Sequence, residues 1–153
     1  MKCSELQIGD YVRFKHTKEV VGVFEIDDDR NVINNEPDGY CSEKNIAIDD
    51  VEPIPLTKDI LEKSSFYFGY TSDEEDLASN TIAQLSEEDK GWVLDEGDGS
   101  IKVILPNESD GGMIIIDDQS FDRRLSLVYN NEVYVHELQH LLKLVGINKE
   151  IIL

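Results

Sequence analysis

An α+β fold is the class this 153-residue sequence predicts, and three observations carry it. Residues 6–52 read as short apolar runs broken by turn clusters, residues 91–128 read as hairpins, and Tyr134–Val145 has the period of an amphipathic helix. The expected architecture is an N-terminal SH3-like small β-barrel over residues 1–55. A second part over residues 56–153 then holds a small antiparallel sheet packed by the C-terminal helix 134–145.

The barrel strands are expected in LQIGDYVRF, VVGVFEI, NVINN and KNIAIDDVEPI, with turns such as DDDRN and NEPDGY between them. Gly9-Asp10 forms the opening turn, where glycine serves if φ is positive. The basic run RFKHTK reads as a solvated strand edge protected by lysine. Pro53 and Pro55 enforce extended backbone and end the barrel, and Thr57 can cap a short helix that turns Ile60 and Leu61 inward. Thr71 or Ser72 could cap a further helix with a sparse stripe of Leu77, Ile82 and Leu85. WVLDE and IKVILP are joined by Gly97-Asp98-Gly99, MIIIDD follows Asp110-Gly111-Gly112, and SLVYNN adds a strand. Trp92, at a strand start, reads as core. In the last helix, steps of about 100° per residue put Leu138, Leu141, Leu142, Leu144 and Val145 on one arc and His136, Gln139, His140 and Lys143 on the other. Gly146 is its expected stop, with INKEIIL left as a tail or a last strand.

Composition bounds the function. A chain of this length can bury about 70% of its unfolded surface without a disulfide or metal. No apolar run approaches the roughly 20 residues of a membrane span, and MKCSELQIGDYV lacks the apolar core of a signal peptide, so a cytoplasmic protein of a bacterial host is expected. Cys3 and Cys41, far apart, read most simply as reduced thiols, although two can form one disulfide.

Charge is the strongest feature. Against 33 acidic residues stand 14 lysines and arginines, a formal net charge of -19. Direct binding to DNA or RNA is therefore not expected, whereas a basic protein partner is. Residues 71–98 hold ten acids and one base, a net of -9. The bland account is a solvated surface. The sharper one is that Asp73, Glu74, Glu75, Asp76, Glu87, Glu88 and Asp89 bind a partner by imitating the spaced charge of a nucleic acid backbone.

One motif points elsewhere. His136-Glu137-Leu138-Gln139-His140 matches HExxH, in which two imidazoles one helical turn apart bind zinc and the glutamate takes a proton from the metal-bound water. The extended form HExxHxxGxxH fails, because Lys143 and Gly146 stand at the later glycine and histidine positions. Glu150, past the Gly146 break, is poorly placed as a third ligand, and the Lys143 ammonium opposes a dication. The reading favoured is a solvated helix face, with no catalytic residues, no metal and no cofactor; the alternative is a zinc-dependent peptidase with His136 and His140 as ligands and Glu137 as base. Other chemistries lack their motifs: there is no G-x-S-x-G, no P-loop and no GxGxxG. Residues 107–118 loosely resemble a calcium loop with poor ligands and strands at its flanks, so a glycine-rich turn accounts for them better.

SELQIGDYV, VEPIPLT and YVHELQHL together resemble a group of small uncharacterised proteins encoded by Bacteroidetes genomes and their prophages. The resemblance covers both ends and the proline-rich junction; residues 71–89 match nothing in that group. It implies a recurrent barrel-plus-helix scaffold and variation at the positions of Glu137 and His140, which a catalytic base and a zinc ligand would not tolerate. With the acidity, it leads to the expectation of a non-enzymatic phage-type interaction protein that inhibits a host nucleic-acid-binding defence enzyme, anti-CRISPR-like, with an RNA-guided nuclease as target. A phage accessory or adaptor module is a further alternative.

Overall fold

The computed structural model describes residues 1–35, 45–70, 90–96, 99–105, 112–118, 123–129, 132–147 and 149–153. The fold is mixed α+β with antiparallel sheets, in two compact units: Met1–Pro55 with Tyr134–Gly146, and Leu56–Val133 with Ile147–Leu153. The acidic residues Asp73, Glu74, Glu75, Asp76, Glu87, Glu88 and Asp89, the helix proposed over them, Cys41 and residues 107–111 of the calcium-like loop lie outside the described residues.

In the first unit the chain forms β1 (Tyr11–Phe14), β2 (Val20–Gly22), β3 (Glu25–Asp27), β4 (Val32–Asn34), β5 (Asn45–Ala47) and β6 (Val51–Pro53). These pair as two three-stranded sheets, β2-β1-β6 and β3-β4-β5. The closed SH3-like barrel expected is not found among the described residues. Two segments expected as single strands are each broken where the chain changes partners. In VVGVFEI, Val23 N–H donates to Asp10 O at 2.8 Å, and the next residue, Phe24, donates to Asn34 O at 2.8 Å. In KNIAIDDVEPI, a 3-10 turn over Ile48–Asp50 separates β5 from β6. Each break lets one continuous stretch serve both sheets, and Val12, Val21, Val23, Ile33, Ile46, Ile48 and Val51 form a shared buried core with Cys3 and Leu6. Burial, with Asp28 and Asp27 nearby, pushes the Cys3 thiol above its ordinary range.

Of the basic run RFKHTK, Arg13 and Phe14 lie in β1, and residues 15–17 form the turn after it. β1 is the central strand of its sheet, and Arg13 Nε meets Glu52 Oε1 at 2.7 Å across the β1–β6 ladder while Lys18 Nζ reaches the same oxygen at 2.8 Å. A strand flanked on both sides can carry a cation when the facing strand supplies a carboxylate.

The second unit opens with α1 (Lys58–Lys63), whose first turn is capped by Thr57 Oγ1 accepting from Ile60 N–H at 3.4 Å; Leu61 is fully buried. Then follow β7 (Tyr67–Gly69), β8 (Gly91–Glu96), β9 (Gly99–Ile104), β10 (Met113–Asp118) and β11 (Arg123–Val128), an antiparallel meander in the order β11-β10-β9-β8-β7. Trp92, Leu94, Ile101, Val103, Ile114 and Ile116 fall in register on one face and are all buried. Trp92 is therefore core, against which Phe68 is tilted at 5.5 Å between centroids. The tail forms no strand among its described residues, but Ile151 is buried and Ile152 N–H donates to Ser64 Oγ at 2.9 Å.

The last helix, α2 (Val135–Leu144), groups with the N-terminal strands in one compact unit. Its buried surface also includes His136 and Gln139 beside Leu138, Leu141 and Leu142, while Leu144 is 72% exposed. Gly146, at φ +76°, ends it as expected. No helix among the described residues is long and apolar enough to cross a membrane.

Candidate functional site

The two motifs that stood farthest apart in the sequence meet. Asp10 is fully buried at the turn that Gly9 makes with φ +93°. The Asp10 Oδ2 atom accepts Gln7 N–H at 2.7 Å, which closes the turn, and lies 2.7 Å from His140 Nε2 on α2. Lys143 Nζ stands 3.7 Å from the other carboxyl oxygen and donates to Ile8 O at 3.3 Å. Between them Gln139 reads the backbone, donating Nε2 to Gly9 O at 3.3 Å and accepting Tyr11 N–H at 3.4 Å through Oε1. Three polar residues of one helical face thus satisfy consecutive groups of IGDY. The face read as solvated is a polar seam, because a turn rich in unpaired backbone groups needs polar partners when it is covered.

This seam accounts for most of HExxH. His140 turns its Nε2 to Asp10. Glu137 Oε2 accepts Tyr134 N–H at 2.9 Å, reaching back three residues to satisfy the first turn of its own helix. His136 is 6% exposed, lies parallel to the Tyr134 ring at 5.9 Å, and has no hydrogen-bond partner for Nδ1 among the described residues. The two histidine rings are 5.8 Å apart and inclined at 71°. Zinc would need three protein ligands and an oriented base; among the described residues no three histidine, cysteine, aspartate or glutamate side chains are grouped to hold a metal ion. Elemental analysis of purified protein is expected to give well under one zinc per chain, and one tightly held zinc lost on His136→Ala with His140→Ala would restore the peptidase alternative.

Beside the start of α2 lies an open pocket of about 520 Å³, walled by Glu5, Pro53, Tyr134, His136, Glu137 and His140 together with Met1. Burial holds the His136 imidazole below its ordinary value of 6.5, aided by His140 and opposed by Asp10 and Glu5. Burial also raises the Glu137 carboxyl above 4.5, against the Tyr134 N–H and His140, which favour its charged form. The two have opposite consequences. The unfolded chain protonates His136 more readily than the folded one, so stability is expected to fall as pH drops through and below 6.5. Folded Glu137 binds its proton more readily, so its contribution is lost as pH rises above 4.5. Urea melts between about pH 7.5 and 5.5 should show the histidine effect, and His136→Asn should flatten it.

Sequence reasoning placed His136, Glu137, Gln139 and His140 on one helix but gave no site role to Asp10, Gln139 or Glu5. The only available signal was an aspartate after a turn glycine, which commonly means no more than a turn. Compared with protein-family models, with curated proteins and with solved structures, the chain gives no match.

Proposed function

We propose that this chain is a non-enzymatic, acidic interaction protein that binds a basic partner of the nucleic-acid-binding kind. The observation that supports the reading is the part HELQH takes in the fold: Glu137 accepts the Tyr134 N–H of its own first turn, and His140 meets buried Asp10. With that motif so engaged, the remaining feature is the net charge of -19, nearly half of it within residues 71–98. Long-range fields of that sign steer basic surfaces and repel nucleic acid itself. A host defence enzyme with a cationic groove, an RNA-guided nuclease among them, fits this chemistry, and the resemblance to prophage-encoded proteins makes inhibition of such an enzyme the natural role. The two three-stranded sheets joined by shared segments also suit an SH3-like scaffold whose barrel is incompletely closed.

The test uses the acidic segment. Neutralising Asp73, Glu74, Glu75 and Asp76 together should slow association with a candidate guide-loaded nuclease more than it speeds dissociation. Binding of the parent should weaken steeply with salt, since at about 0.15 M the Debye length is ~8 Å. Guide or target strand should compete with the protein for the enzyme. A quadruple variant that binds and inhibits as well as the parent would eliminate charge mimicry by this segment.

A further inference from the structure

We propose that the pocket beside the start of α2 receives the guanidinium group of an arginine side chain from a partner protein. The inference rests on the preceding reading only for the expectation of a basic partner, and it assigns a place where that partner is read. Two carboxylates, Glu5 and Glu137, line the pocket, and no lysine or arginine does among the described residues. Each has one oxygen committed locally: Glu5 Oε2 accepts Lys2 N–H at 2.8 Å, and Glu137 Oε2 accepts Tyr134 N–H at 2.9 Å. Their positions are thereby fixed, and the other oxygen of each is left for a ligand.

A third wall distinguishes this place from a mere pair of acids. His136 is more than nine-tenths buried, lines the same pocket, and keeps Nδ1 without a hydrogen-bond partner among the described residues. A buried polar group left unpaired is costly, and in the neutral imidazole the ring nitrogen without a proton is an acceptor that an N–H donor would satisfy. The Tyr134 ring, nearly parallel to that of His136 with an interplanar angle of 11°, adds a flat aromatic surface. Guanidinium suits this set better than ammonium because it is planar, offers five donors in a fixed fork and stacks on aromatic faces. An anion would meet two carboxylates, and a metal ion would lack a grouped set of three ligands among the described residues.

Methylguanidinium, titrated into the full chain while the ring resonances of His136 and His140 are followed by NMR, provides the test, with neutral N-methylurea as the isosteric control. A saturable shift of the His136 resonances is expected with the cation and none with the urea. Glu5→Gln keeps an acceptor for Lys2 N–H and should weaken the response about tenfold, the effect of removing one charge-assisted contact. Should Glu5→Gln unfold the N-terminal turn, Glu137→Gln, which still caps the helix, is expected to do the same. Equal responses to cation and urea, or none at concentrations on the order of 100 mM, where a millimolar site would be filled, overturn the assignment. So does a response to stoichiometric zinc chloride without one to methylguanidinium. A silent pocket leaves the charge-steered partner untouched, because the quadruple acidic variant tests that separately.

Discussion

Leu138→Ala is expected to destabilise the protein by about 2–5 kcal/mol, read as a lower urea midpoint with an unchanged slope. Leu138 has no exposed surface and is among the largest fully buried side chains. It sits at the middle of α2, flanked by Val135, Leu141 and Leu142, all buried. Removing it costs the transfer energy of its methyl and methylene groups and leaves a cavity that a helix held at both ends cannot collapse. The control is Leu144→Ala, at the end of the same helix and 72% exposed, which should change stability by no more than about 0.5 kcal/mol. Equal effects at the two positions would mean that the helix is not docked through the face described.

The contrast between these leucines marks how far the sequence could be read. Helical periodicity placed Leu138, Leu141 and Leu142 correctly, because three apolar side chains at this spacing converge whatever they pack on. It placed Leu144 wrongly, since an arc drawn around leucines assumes that polar neighbours point to water. Gln139 and His136 are buried instead, and the turn that Gln139 satisfies lies 130 residues earlier. No local pattern encodes that pairing. Amphipathicity likewise specifies that a face is covered but not what covers it. Hairpins fared better: the apolar runs expected on either side of Gly97-Asp98-Gly99 pair antiparallel as β8 and β9, a neighbourhood that short-range turn chemistry signals. The breaks at Val23 and Ile48 were illegible, because β-branched runs look alike whether one sheet uses them or two.

The second large effect is expected at Asp10. Asp10→Ala should cost about 3 kcal/mol, since it strips Gln7 N–H and His140 Nε2 of their acceptor in a fully buried place. Asp10→Asn should cost less, because its amide oxygen can still receive Gln7 N–H. His140→Ala removes one partner of the buried carboxyl and leaves the turn closed, so it should be the milder of the two alanine changes. A double-mutant cycle between Asp10 and His140 should then give a coupling of about 0.5–3 kcal/mol, the range for residues in direct contact within one network. Additive effects would mean that the 2.7 Å contact contributes nothing to holding α2 on the IGDY turn. The cycle also separates two explanations that activity assays confuse. A zinc ligand lost with His140 would remove bound metal; a buried seam lost with it lowers stability while the metal content stays where it was, and Asp10→Ala lowers stability further with the metal content again unchanged.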